Sequence, residues 1–140
     1  MFLLSMSLTV ISNALYHVLQ KSVPGAVNPL VSLIATYAAA AVACLALLPL
    51  FPLKSGVTQS LRELNWVSFA LGLVIVGLEL GFLLAYRSGW NVSLAAIISN
   101  VAVTILLVPI GLLLFGEKVS ATNLVGIAVC IIGLVMVNYR

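Results

Sequence analysis

The chain has 140 residues, of which 64% are hydrophobic and only 6% charged, with a formal net charge of +3 and a mean hydropathy of +1.30. An ordinary soluble domain carries about 25% charged residues, so this composition cannot cover a water-facing surface and a soluble fold is excluded. The Lys and Arg residues are spread among predicted loops and the C-terminus, which excludes the clustered basic face of a nucleic-acid binder.

The apolar segments are continuous and rich in Leu, Ala and Val rather than alternating, which argues against a transmembrane β-barrel. In lipid each backbone donor and acceptor has to be satisfied within its own segment, so such runs are helices. The predicted fold class is an all-α integral membrane protein with five transmembrane helices.

The first predicted span covers residues 3–21 and ends at Gln20-Lys21, before a Pro24-Gly25 turn. No positively charged stretch precedes it and its apolar character continues through Leu19, so it reads as a retained span rather than a signal peptide. Asn28 is placed to cap the second span, residues 29–51, with Pro29 in its first turn and Pro49 and Pro52 at its end. Its alanine-rich centre, Ala38 to Ala43, permits close helix approach. Residues 53–65 form the longest polar stretch, whose second half is a candidate short interfacial helix. Asn65-Trp66 opens the third span, residues 66–86, with Trp66 suited to the membrane interface. Ser88 to Asn91 form a tight turn into the fourth span, residues 92–115. Pro109 there leaves the carbonyl four residues back without its donor and predicts a kink. After Gly116 to Ser120, the fifth span occupies residues 121–138 with Ser120 as its cap.

An odd number of spans puts the termini on opposite sides of the membrane. Lys54, Arg62 and Lys118 then fall on one side, and Lys21, Arg87 and Arg140 on the other. The rule that Lys and Arg collect on the cytoplasmic side therefore sets no orientation. A balanced tally fits either orientation fixed by other features or insertion both ways, with pairing as an antiparallel dimer.

Glu79 is the acidic residue inside a predicted span, near the middle of the third helix. A charge there costs at least about 2.5 kcal/mol and calls for a partner, a water-filled cavity or a proton. It is a candidate for exchanging a proton against substrate, or else a neutral structural acid bonded to a neighbouring helix. Gly77 and Gly81 flank it and would thin the helix so that the carboxyl meets a neighbour. On the first span Ser5, Thr9, Ser12, Tyr16 and Gln20 recur at helical spacing, with Asn13 and His17 alongside, giving a polar face that has to turn away from lipid. His17 is a candidate titrating group or an interface hydrogen-bonding residue. Asn100 and Thr104, with Ser93 and Gly111, share a face of the fourth span, as pathway lining or as helix-to-helix glue. Gly126, Cys130 and Gly133 form a small-residue stripe on the last span, a candidate dimer seam. Cys44 and Cys130 read as small buried thiols rather than a disulfide.

No metal-ligand cluster, phosphate-cradling glycine loop or aspartate occurs, so neither catalysis nor a cofactor or metal is expected. Asn91-Val92-Ser93 matches the glycosylation pattern only as a weak signal.

Ala85-Tyr86 ends a span, Val92-Ser93-Leu94-Ala95-Ala96 follows a short turn, and Pro109 precedes the hinge Gly116-Glu117-Lys118-Val119-Ser120. Asn123-Leu124-Val125-Gly126 then opens a last helix that contains Gly133. In this order these residues resemble the EamA-like branch of the drug/metabolite transporter superfamily. The first half of the chain matches only in layout, with Lys21 closing the first span. The resemblance implies one five-helix, inverted-repeat unit of a transporter fold in a bacterial inner (plasma) membrane. It implies export of a metabolite, amino acid or drug, and a second, antiparallel copy to complete a midplane pathway. The related small multidrug resistance proteins carry an essential acid in their first span; this chain has none there, so their proton-for-cation exchange does not carry over by position. A non-transporting subunit that packs against a partner chain, and a lipid-carrier flippase of the same fold, are the alternatives.

Overall fold

The computed structural model describes residues 2–51 and 56–138. Lys54 and Arg140 of the charge tally, and Pro52 and Tyr139 of the predicted span ends, lie outside the described residues. The chain divides into two compact units between Ser88 and Gly89.

The first unit contains α1 (Phe2–Ser22), α2 (Pro29–Leu47), a 3₁₀ turn (Leu48–Leu50), α3 (Gly56–Arg62) and α4 (Trp66–Arg87). The starts of α2 and α4 follow from asparagine chemistry. Asn28 Oδ1 accepts the Leu30 N–H at 2.9 Å, and Asn65 Oδ1 accepts the Val67 N–H at 3.0 Å. Each satisfies one of the donors that a helix N-terminus leaves without a partner. Pro49, with no N–H to give, falls where α2 passes into the 3₁₀ turn. At the end of α4 the Ser88 N–H and Oγ both reach the Leu84 carbonyl, each at 2.9 Å. Gly89 then turns the chain at φ +93, a conformation that disfavours any residue with a Cβ.

Within this unit α4 is the central helix. It packs against both α1 and α2, whereas α1 and α2 do not pack on one another among the described residues. The buried side chains Leu33, Leu83, Tyr86, His17 and Gln20 come from the start of α2 and the ends of α4 and α1. The packed core therefore lies at the end of the unit that carries the α1–α2 turn. Arg87 fastens that end: its Nη2 donates to the carbonyls of Pro24 at 3.2 Å and Val27 at 2.7 Å.

The second unit is a hairpin of α5 (Val92–Leu114) packed on α6 (Ala121–Asn138). α5 runs unbroken through Pro109. At its end the Gly111 carbonyl accepts two amides, from Phe115 at 3.2 Å and Glu117 at 3.0 Å, while Gly116 adopts φ +63. Ser120 opens α6, its Oγ accepting the Asn123 N–H at 3.2 Å.

Large apolar side chains face outward throughout, among them Leu73, Leu113 and Phe115, each at least three-quarters exposed. Water-soluble monomers rarely expose apolar patches beyond a few hundred Å²; a lipid environment removes that cost. Among the described residues three helices are long and apolar enough to cross a membrane: Pro29–Leu50, Trp66–Arg87 and Val92–Leu114. α6 is apolar but shorter within Ala121–Met136. α1 is 21 residues long but interrupted by Ser, Asn, Tyr, His and Gln side chains, so its apolar character is the weakest among the long helices.

Candidate substrate site

The C-terminal end of the polar face of α1 meets α4, while Ser5, Thr9 and Ser12 farther along it are exposed. Tyr16 and His17 stand against Phe82 and Tyr86 in a four-ring cluster. The His17 and Phe82 centroids are 4.8 Å apart, edge to face, and Phe82 stacks on Tyr86 at 6.0 Å. The Tyr86 hydroxyl and His17 Nδ1 share a buried 2.8 Å hydrogen bond whose direction depends on the imidazole tautomer. Lys21 Nζ donates to the Tyr86 carbonyl at 3.1 Å and lies 5.7 Å from the Tyr86 ring centre, a cation–π arrangement. His17 thus occupies a satisfied core position. Asn13, a turn earlier, stays exposed.

One turn along α4 from that cluster is Glu79. Gln20 Nε2 donates to its main-chain carbonyl at 2.9 Å, which couples the end of α1 to the backbone that carries the acid. The carboxyl itself faces a cleft between α2 and α4 of about 350 Å³, lined by Thr36, Tyr37, Ala40, Gly72, Ile75, Val76 and Glu79. Tyr37 lies within interaction range of the Glu79 carboxyl, yet Tyr37 Oη and Glu79 Oε2 are both buried without a well-formed hydrogen bond. Tyr16 Oη is also buried and unpartnered, within electrostatic range of Glu79. Buried polar atoms are nearly always bonded, so the Tyr16 and Tyr37 hydroxyls near the Glu79 carboxyl, with its own Oε2, mark a place where a ligand, a proton or water completes the structure.

The glycine flanks of Glu79 behave differently from expectation. A Cβ built on Gly77 or Gly81 meets nothing within 4 Å, so neither glycine brings a helix close; Gly72 lines the cleft instead. Tyr37 was not singled out by sequence. The available signal was that Thr36-Tyr37 interrupts a largely aliphatic α2 and that Tyr37 supplies its one aromatic ring.

The second unit holds a smaller cleft of about 130 Å³ between α5 and α6, lined by Asn100, Val101, Thr104, Ile105, Ile127 and Cys130. The Thr104 hydroxyl donates to the Asn100 carbonyl at 2.8 Å, so its proton is committed to its own helix. Cys130 shares this cleft with Asn100 and Thr104. A Cβ built on Gly126 or Gly133 meets nothing within 4 Å among the described residues, and Cys44 and Cys130 are free and exposed rather than buried, although Cys130 lines the α5–α6 cleft. Among the described residues no group of His, Cys, Asp or Glu is placed to hold a metal ion.

Apolar helices with polar groups gathered between them define an all-helical membrane protein. Residues 1–139 match the EamA-like transporter family, and the chain belongs to it. No curated protein and no solved structure matches the chain.

Proposed function

We propose that the chain is one five-span unit, residues 1–140, of a secondary transporter that exports a small metabolite, amino acid or drug from a bacterial cell across its inner membrane. Two copies in opposite orientation would enclose a pathway and rock around a site near the midplane. The observation that carries this reading is the Glu79 carboxyl in the α2–α4 cleft, with one oxygen lacking a hydrogen-bond partner. An acid kept at mid-helix in an apolar chain is costly unless it does something. Family membership supports transport over the non-transporting subunit and does not separate a metabolite exporter from a lipid-carrier flippase. Tyr16, His17 and Asn13 on α1, with Asn100 and Thr104 on α5, are proposed to line or support the pathway. Gly126, Cys130 and Gly133 on α6 are proposed as the seam between copies, since their surroundings are open.

The test is reconstitution. Proteoliposomes loaded with a cytosolic small-molecule extract and given a pH gradient should lose a defined species, followed by mass spectrometry, and Glu79→Gln should abolish the pH-driven part. Full pH-driven flux in Glu79→Gln removes proton coupling through this residue. No flux in either direction, together with purification bound to a second chain, sinks the transporter reading in favour of a subunit. Reporters fused after Arg140 should signal on both sides of the membrane if the two copies insert oppositely.

A further inference from the structure

If the α2–α4 cleft is the substrate site, the reading on which this inference rests, its chemistry says more than that an acid is present. Its polar groups are oxygens. Glu79 as a carboxylate only accepts. The Thr36 hydroxyl spends its proton on the Ser32 carbonyl at 3.1 Å and so offers the cleft only lone pairs. Tyr37 Oη lies in range of the Glu79 carboxylate, the acceptor at hand for its proton, and so offers the cleft a lone pair, and Glu79 Oε2 is buried without a well-formed hydrogen bond. The remaining lining, Ala40, Gly72, Ile75 and Val76, is apolar, and among the described residues no lysine, arginine, histidine or side-chain amide faces the space. At about 350 Å³ the cleft is at the small end of the roughly 300–1,000 Å³ range of ligand pockets.

The geometry points to a ligand that carries a primary ammonium on a short apolar body. Such a group brings three N–H donors to a cleft lined by three oxygen acceptors, and its positive charge pairs the carboxylate in a medium where an unpaired charge is costly. A quaternary ammonium has the charge but no N–H. A zwitterionic amino acid adds a carboxylate for which the cleft holds no cation and no donor besides the Tyr37 hydroxyl beside Glu79, and burying that group without a charge partner is unfavourable. An alcohol has a donor but leaves the carboxylate uncompensated. A primary ammonium reaches such a cleft either as a free amine or as the headgroup of an aminophospholipid.

Calorimetric titration of the detergent-purified full chain with n-pentylamine, norleucine, pentyltrimethylammonium and 1-pentanol tests the inference. Pentylamine should bind, and each of the other three should bind at least about tenfold more weakly, the scale of one hydrogen bond to a charged group. Glu79→Gln should remove pentylamine binding. Tyr37→Phe, which keeps the ring and hence the packing, should weaken it about threefold to tenfold. The helical circular dichroism of both variants serves as the folding control. Absence of pentylamine binding to the folded chain, equal binding of norleucine or pentyltrimethylammonium, or undiminished binding by folded Glu79→Gln would each overturn it. Repeating the titration in nanodiscs separates the sources: phosphatidylethanolamine discs should compete with pentylamine, and phosphatidylcholine discs should not, if the headgroup is the natural ligand; equal affinity in both assigns the site to a free amine. Pentylamine counterflow in proteoliposomes distinguishes this inference from transport itself. Selective binding without flux overturns transport alone, whereas flux of some other species without amine binding overturns the inference alone.

Discussion

Gln20 Nε2 donates to the main-chain carbonyl of Glu79 at 2.9 Å, so the last turn of α1 holds the acid-bearing turn of α4 through its backbone and not through its carboxyl. The acid is thereby positioned while its side chain stays available to the cleft.

This separation is measurable. Gln20→Leu should destabilise the first unit by about 0.5–1 kcal/mol, the size of an interhelical hydrogen bond in a membrane protein. Because the bond goes to backbone, a double-mutant cycle of Gln20→Leu with Glu79→Gln should be additive within about 0.5 kcal/mol. A larger coupling in equilibrium unfolding would mean that Gln20 acts on the carboxyl.

The His17–Tyr86 hydrogen bond predicts the opposite pattern. Tyr86→Phe leaves a buried imidazole nitrogen with no partner in place of the 2.8 Å contact, at a cost of about 1–3 kcal/mol. His17→Phe should cost a similar amount, and the double variant less than the sum, because the paired polar groups are then removed together. Strict additivity in unfolding measurements would show that the bond contributes nothing.

The hinge after α5 offers a contrast between two glycines. Gly116 at φ +63 should resist substitution: Gly116→Ala is expected to cost roughly 1–2 kcal/mol, with Gly116→Asn intermediate. At Gly111 an added Cβ would stand 2.5 Å from Glu117 Oε2, the far end of a flexible side chain that can swing away. Gly111→Ala should therefore change stability by less than about 1 kcal/mol while displacing the Glu117 carboxyl. Melting midpoints of the three variants check the order; a Gly111→Ala loss larger than that of Gly116→Ala contradicts it.

Cys130 is free and exposed on α6. If the α6 stripe is the seam between two copies, mild oxidation of a Cys44→Ser variant in membranes should give a disulfide-linked dimer on denaturing gels, and Cys130→Ser should abolish it. A monomer band alone, with Cys130 still reactive to maleimide, would move the seam elsewhere.

Much of the local structure was legible in residue order. A carboxamide at Asn28 and Asn65 has to start a helix when an apolar run comes next, and Ser120 does the same for α6. The polar stripe of α1 marked Tyr16, His17 and Gln20, which pack on α4, although its other half, Ser5 to Asn13, is exposed, and Glu79 announced itself by being an acid among aliphatics. These are short-range matters of hydrogen bonding and transfer free energy, which a sequence determines by itself. It also determined the family, which is matched over residues 1–139.

The neighbours of Glu79 were decided only by tertiary structure. α4 packs against both α1 and α2, although α1 and α2 are the consecutive pair. That order brings Tyr37 to the cleft and gives His17 to Tyr86 rather than to the acid. Helix periodicity tells which residues share a face, but not which face finds which partner. In lipid that choice depends on close packing and interhelical hydrogen bonds summed along whole helices, and no stretch of sequence holds that sum.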